Sequence, residues 1–321
     1  MRDHGGNMDW AVGQYGGAAG DWIDLSTGIN RVPYPVANLP PEVWTQLPTH
    51  AAMQALRASV ARHYGVQAPV LITAGAQAAI QMMPWLAGKP GVARVLAPTY
   101  NEHAAVLRAQ GWQVQEVATL ADLAGADLAV VVNPNNPDGQ CHAPADLLAL
   151  RDRVGRLVVD ESFGDIAPDL SVLPHAGSAG LLVLRSFGKF WGLAGARLGF
   201  VFGSAPDIDA LTAMAGPWPV SGAALHIGRI ALEDLPWATA TRARLQAEVA
   251  RIDVMAQRAG WQVVGGTALF RLYQTADAAQ AQDRLARARI WSRIFPWHPQ
   301  WLRLGLPGDA GEWARLAAAL G

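Results

Sequence analysis

The sequence predicts an α/β protein: a mostly parallel sheet covered by helices on both faces, followed by a smaller α+β domain. Three observations lead there. Short apolar runs alternate with helical stretches from about residue 50 to about residue 190. The runs are continuously apolar rather than alternating, as strands buried on both faces must be. Beyond about residue 215 the texture changes to long Ala- and Arg-rich helical stretches with short strands between them. The expected organisation is an N-terminal arm over 1–40, a large domain over 41–215 and a small domain over 216–321.

In chain order, residues 1–40 are rich in Gly, Pro and Asn with little periodicity, and read as an extended arm. MQALRASVARHYG has the spacing of an amphipathic helix. VLIT (70–73) precedes the helical AQAAIQMMPWLA, and RVLAPT (94–99) precedes the helical NEHAAVLRAQG. ADLAVVVNP (126–134) leads into PADLLALRDRVG, and RLVVDES (156–162) and LLVLRSF (181–187) follow. In the last third, a helical stretch over roughly 237–259 leads to WQVVGGTALFRLY. A helix over 278–289, the strands IWSRIF and WLRLGL, and a final helix complete the chain. No internal repeat or low-complexity tract interrupts the pattern.

Composition narrows the function. The 321 residues are 51% hydrophobic, enough for a large core. A net charge of -1 supplies no basic field for nucleic acid or an anionic membrane, so an anionic substrate must be met by a few placed cations. With Cys141 as the single cysteine, neither an intrachain disulfide nor a multi-thiolate metal site can form, and no metal is expected. The opening MRDHGGNMDW lacks a signal-peptide core, and no apolar run approaches the ~20 residues that span a bilayer, so a cytoplasmic location is expected. Only two lysines occur, Lys89 and Lys189. Lys89 lies in GKPG, a turn sequence, whereas Lys189 lies in the apolar, glycine-rich SFGKFWGLAG.

Ligands of open α/β sheets gather outside the carboxyl ends of the strands. Three unusual segments fall there. AVVV ends in NPNNPDG (133–139), LVV ends in Asp160-Glu161, and LLVL ends in SFGK. An amide, a carboxylate and an amine are thereby expected at one rim. Taken singly, each has a plainer reading: a strand-end Asp caps, NPNNPDG turns, an Arg is exposed. Together they suit a pyridoxal ring. Lys189 supplies the amine that condenses with the aldehyde, and Asp160 keeps the pyridine nitrogen protonated so that the ring accepts electrons from Cα. Asn136 donates to the phenolate oxygen, and Tyr100 lies against the ring face. Arg197, Ser186 and the backbone after Thr73-Ala74-Gly75 take the phosphate. The motifs of P-loop, zinc-protease, α/β-hydrolase and dinucleotide sites are missing from the sequence.

NPNNPDG (133–139), DESF (160–163) and SFGKFWGLAGARLG (186–199) resemble the motifs of fold-type I pyridoxal 5′-phosphate enzymes, specifically class I/II aminotransferases, over nearly the whole chain. The resemblance implies a seven-stranded, mostly parallel sheet, the cofactor pyridoxal 5′-phosphate and a homodimer. It implies Lys189 as the cofactor-linking lysine, Asp160 as the partner of the ring nitrogen, and Asn136, Tyr100, Ser186 and Arg197 as cofactor ligands. Gly75, Ala76 and Gln77 would form the phosphate-binding helix start, and Arg303 would receive the substrate's α-carboxylate. Two departures stand out. Phe163 occupies the place of the family's phenolate-supporting tyrosine, and the tyrosine that reaches the phosphate from the neighbouring subunit falls near Leu47-Pro48.

Within the family, HGGN (4–7), WIDLSTGIN (22–30), PTYNEH (98–103) and Phe163 resemble the cobalamin-pathway L-threonine-O-3-phosphate decarboxylases, whose relatives are the histidinol-phosphate aminotransferases. That likeness implies decarboxylation of a small phosphorylated amino acid, and adds His4, Asn30, Asn136, Arg293 and Arg303 as substrate-binding residues. The alternative is an aminotransferase acting on histidinol phosphate or a related amino acid.

Overall fold

The computed structural model describes residues 4–36 and 38–321. The chain divides into two compact units. The larger comprises Tyr34–Asn136 and Cys141–Ala238, and the smaller comprises the N-terminal residues up to Pro33, Pro137–Gln140 and Thr239–Gly321.

The larger unit is built on seven strands: β1 (Val70–Thr73), β2 (Val92–Leu96), β3 (Gln113–Val117), β4 (Leu128–Val132), β5 (Leu157–Asp160), β6 (Leu181–Ser186) and β7 (Gly199–Phe202). Their order in the sheet is β1-β7-β6-β5-β4-β2-β3. Neighbours from β6 through β5, β4 and β2 to β3 run parallel, while β7 is antiparallel to both β6 and β1. In β4 and β5 every residue is buried. That explains why these two strands read as uninterrupted apolar runs, Leu-Ala-Val-Val-Val and Leu-Val-Val. The expected mostly parallel, seven-stranded sheet is present. Two of its strands, β3 and β7, were not anticipated from the sequence.

The helices α1 (His50–Tyr64), α2 (Ala76–Met82), α3 (Glu102–Ala109) and α4 (Gly222–Glu233) belong to this unit. Thr49 caps α1 through Ala52 N, and Gly65 ends it at φ 64°. Helix α4 packs on α1, and Gly228 permits the approach: a Cβ there would meet Leu198 at 2.5 Å and Leu56 at 3.3 Å. This packing draws residues 216–238 into the larger unit, so the division falls after Ala238 rather than near residue 215.

The smaller unit holds four antiparallel strands, β8 (Gln262–Thr267), β9 (Phe270–Gln274), β10 (Arg293–Phe295) and β11 (His298–Gly305), ordered β10-β11-β9-β8. Ile23–Asp24 pairs in parallel with Ile290–Trp291. The N-terminal segment is not simply extended. Met8–Tyr15 is a helix capped by Asn7, whose side chain accepts from Trp10 N. Trp22, Trp291, Ala11 and Ala286 form the core beneath it. The first three residues of the expected arm, and Ala37, lie outside the described residues.

Candidate active site

One open cleft of about 600 Å³ in the larger unit is lined by Ala76, Gln77, Tyr100, Asn136, Asp160 and Lys189, together with Ser162, Phe163, Ser186 and Arg197. Every cofactor-binding residue expected from the sequence except Gly75 is in that lining, and Gly75 caps α2 directly before Ala76. The topology explains the convergence. Asn136, Asp160 and Ser186 follow or end the parallel strands β4, β5 and β6. Because β7 is antiparallel, its beginning, where Arg197 stands, shares that rim.

Asp160 is 2% exposed. His103 Nε2 lies 2.8 Å from its Oδ2. Ser162 donates to Oδ1 from its backbone N at 2.9 Å and from its Oγ at 2.5 Å. Burial alone would push the carboxyl up. The hydrogen bond and charge of His103, with the two Ser162 donors, outweigh it and hold Asp160 below the ordinary carboxylate value. A buried carboxylate therefore keeps its negative charge at the cleft floor.

Lys189 lies in the short helix Phe187–Phe190. Aromatic packing fixes that helix: Trp191 stacks on Phe187 at 5.4 Å and on Trp237 at 5.2 Å. Gly188 is required because a Cβ would sit 2.9 Å from Ala194 Cα. The Nζ of Lys189 is 5.7 Å from the centre of the Phe163 ring, which supplies an apolar wall. Lys89, by contrast, is an exposed residue in a bend.

Arg197 takes the left-handed conformation at φ 51°, and its guanidinium lies over Gly75, where a Cβ would be 2.6 Å from NH2. Gly75 itself has φ 77°, so glycine is needed there twice over, for conformation and for space. Gly199 draws β7 equally close to α2, since its Cβ would be 2.6 Å from Ala76 N. The result is a cradle of one arginine and a helix start, with room for an oxyanion.

Tyr100 donates its hydroxyl to Gln77 Oε1 at 3.1 Å, and Gln77 Nε2 donates to the buried Glu102 at 2.8 Å. The Tyr100 ring meets His103 edge-on at 6.2 Å. Neither His103 nor Ser162 was singled out from the sequence. A signal for His103 existed in PTYNEH, where it stands three residues after Tyr100 in the first turn of the helix that follows. Its partner Asp160 is 57 residues away, and only folding reveals the pairing.

Amine, charged carboxylate, amide and oxyanion cradle line one cleft and suit pyridoxal phosphate in charge and in donor chemistry. The other residues expected to bind substrate belong to the smaller unit. Arg293 and Arg303 face each other across β10 and β11. Arg303 is 6% exposed, donates to Ser26 O at 2.6 Å, and lies 5.0 Å from the centre of the Phe270 ring. Burial, then the neighbouring charge of Arg293, lowers it to about 9. Asn30 is buried, and its Oδ1 accepts from Arg244 at 2.8 Å. His4 is exposed at the start of the arm. Gly5 follows it because a Cβ there would strike Ser26 O at 2.4 Å, and Gly6 N donates to Ser26 Oγ at 2.7 Å.

Residues 6–320 match the aminotransferase class I and II family. A threonine-phosphate decarboxylase from Sinorhizobium sp is 43% identical over 325 residues, covering 99% of this chain and 97% of the relative. One of the same name from Pseudomonas aeruginosa is 43% identical over 327 residues, covering 100% and 97%. A crystal structure of a histidinol-phosphate aminotransferase from Sinorhizobium meliloti in complex with pyridoxal-5′-phosphate superposes with a TM-score of 0.83. It is 20% identical, with 97% of this chain and 92% of that chain covered. The chain belongs to the aminotransferase class I and II family.

Proposed function

We propose that this chain is a pyridoxal-phosphate-dependent lyase that removes CO₂ from L-threonine O-3-phosphate and yields (R)-1-aminopropan-2-yl phosphate. The observation that carries the reading is the 43% identity to two threonine-phosphate decarboxylases over virtually the full length, supported by a cleft lined by Lys189, Asp160, Asn136 and Arg197. Pyridoxal phosphate, when bound, supplies an electron-accepting ring for the pair left at Cα as CO₂ departs.

Lys189 would hold the cofactor through Nζ and would be the group that returns a proton to Cα. Asp160, kept ionised by His103 and Ser162, holds the ring nitrogen protonated. Phe163 has no hydroxyl to give the phenolate oxygen, so that oxygen falls to Asn136. Tyr100, which donates to Gln77, would cover a ring face. Arg197, Ser186 and the α2 start, with Gly75 and Ala76, take the cofactor phosphate. Arg293 and Arg303, with Asn30 and His4, are assigned to the anionic ends of the substrate. A pair of neighbouring arginines, one buried and one half-buried, suits a carboxylate or phosphate.

A homodimer in the cytoplasm completes the proposal. It is supported by exposed apolar residues in the larger unit, Trp44 at 67% and Leu47 at 64%, beside a groove lined by Val43, Pro48 and Leu225. Among the described residues no helix is long and apolar enough to cross a membrane.

The deciding experiment incubates cofactor-loaded protein with threonine phosphate and measures CO₂, amine product and 2-oxoglutarate together. CO₂ released in step with the aminopropyl phosphate, with no 2-oxoglutarate consumed, is expected. Transamination of histidinol phosphate with no CO₂ from threonine phosphate would replace this reading by the aminotransferase one.

A further inference from the structure

Behind the cleft floor, the larger unit buries a group of charges that the steps above leave unused. Arg185, Glu161 and Asp165 are 2%, 1% and 4% exposed. Arg185 NH2 lies 2.8 Å from Glu161 Oε2, and NH1 donates to Asp165 Oδ1 at 3.0 Å. Ser171 links them, accepting from Arg185 NH2 at 2.9 Å and donating to Glu161 Oε2 at 2.7 Å. Val172 N donates to Glu161 Oε1 at 2.8 Å. The Tyr64 ring lies against the guanidinium, 4.8 Å away. Even the glycine of DESFGD serves this cluster: a Cβ on Gly164 would sit 2.6 Å from Arg185 NH1.

The positions of these residues in the chain give the cluster its meaning. Glu161 directly follows Asp160, and Arg185 directly precedes Ser186 and stands four residues before Lys189. Side chains alternate across a strand, so Asp160 and Ser186 face the cleft while Glu161 and Arg185 face away from it. The backbone ladder between β5 and β6 runs to Asp160 opposite Leu184, extended by Glu161 N donating to Leu184 O at 2.9 Å. Beyond that point the cluster's side chains tie the two strand ends together.

We propose that Arg185 and Glu161 are positioning residues, their buried ion pair holding the end of β5, with Asp160, at a set spacing from the end of β6, with Ser186 and Lys189. The proposal rests on the reading of Asp160 and Lys189 as cofactor ligands. Stability is a poor reason for such a pair, because apolar residues of similar volume are often as stable or more so. Two carboxylates face one guanidinium here, and burial pushes Glu161 up in spite of Arg185. What an arginine fork supplies is direction: its planar donors fix several oxygens at once.

The test uses cofactor-loaded wild type, Glu161→Gln, and a neutral cluster, Glu161→Gln/Asp165→Asn/Arg185→Met. Circular dichroism reports folding, and visible absorption across pH and equilibrium dialysis report the bound cofactor. Borohydride must first fix the cofactor mass on Lys189 in the wild type. If it does not, the reading of the site fails whatever the cluster does. Given that, both variants are expected to fold while holding the cofactor on the order of 10- to 100-fold less tightly, with a displaced pH midpoint of the visible band. The scale follows from the roughly 10²-fold cost of misplacing a reacting group by about 1 Å. Glu161→Gln is nearly isosteric and keeps an acceptor for Arg185, so it is the variant that folds if the triple does not. A folded Glu161→Gln with wild-type cofactor affinity and pH midpoint overturns the proposal.

Discussion

Asp160 and Arg303 are buried almost equally, at 2% and 6% exposure, yet they are poised in opposite ways. Asp160 is surrounded by donors, and His103 and Ser162 keep it ionised against the cost of burial. Arg303 is lowered to about 9 by burial and by Arg293, with Asp24 pushing the other way. One group is drawn further into its charged form by its neighbours. The other is drawn away from its charged form by burial and by a like charge beside it. A cofactor that stays bound needs a finished site, whereas a substrate that comes and goes is selected best where its own charge completes the balance. The larger unit thus carries a prebuilt electrostatic floor, and the smaller unit carries a like-charged pair suited to a transient anion.

The largest effect belongs to Lys189→Ala, which should abolish turnover while leaving circular dichroism unchanged. Borohydride treatment of the wild type should place the cofactor mass on the peptide containing Lys189. A mass on Lys89 instead would remove the basis of the cleft assignment.

On the smaller unit, the arginine pair should make the substrate's phosphate decisive. Threonine phosphate should exceed threonine by roughly 10³-fold in kcat/KM, because losing the dianion removes charge-assisted hydrogen bonds to the arginine pair. Arg293→Ala should collapse that preference, mainly through KM. Comparable rates for the two substrates in the wild type would mean that the pair serves the fold rather than the phosphate.

On the larger unit, Asp160→Asn keeps the size and removes the charge. A loss of about 10²-fold in kcat is expected, the scale on which preorganised charge acts in such sites. Near-native kcat would show that the finished floor is not what drives the reaction.

Legibility from sequence follows the same physics. Strands buried on both faces announce themselves as apolar runs, so β1, β4, β5 and β6 could be read directly. Edge strand β3, QVQEV, has no buried residue and imitates a polar connection. Strand β7 is only four residues long and follows a glycine-rich turn. The helix Met8–Tyr15 is hard to read because its apolar stripe of Met8, Ala11, Val12 and Tyr15 spans only two turns and lies between glycine-containing segments. In the site, Lys189, Asp160 and Asn136 are legible because each ends or follows a recognisable strand, and Arg197 because it lies in the motif SFGKFWGLAGARLG. His103, Ser162, Arg185 and Glu161 were not, because their significance lies in contacts: across 57 residues in the case of His103, and on the hidden face of the sheet in the case of Arg185.

The smallest effect should come from His103→Asn, and it tests why Asp160 differs from Arg303. Asp160's folded value is depressed, so its contribution to stability is present above the ordinary carboxylate value, about 3.9, and is lost as pH falls through the lower folded value. His103 Nε2, 2.8 Å from Oδ2, is the strongest influence opposing burial. Without the imidazole the two Ser162 donors remain, but burial weighs more heavily and the carboxyl's value rises. The acid limb of kcat against pH should then move upward, and the acid-unfolding midpoint of the cofactor-free protein should move the same way. At neutral pH the loss in kcat should be roughly tenfold or less, since Asp160 stays ionised there. Arg293→Ala, acting on the other unit, should leave that acid limb unmoved. If His103→Asn leaves the limb in place as well, Ser162 alone holds the charge, and the imidazole only supports Tyr100 through the edge-on contact of their rings.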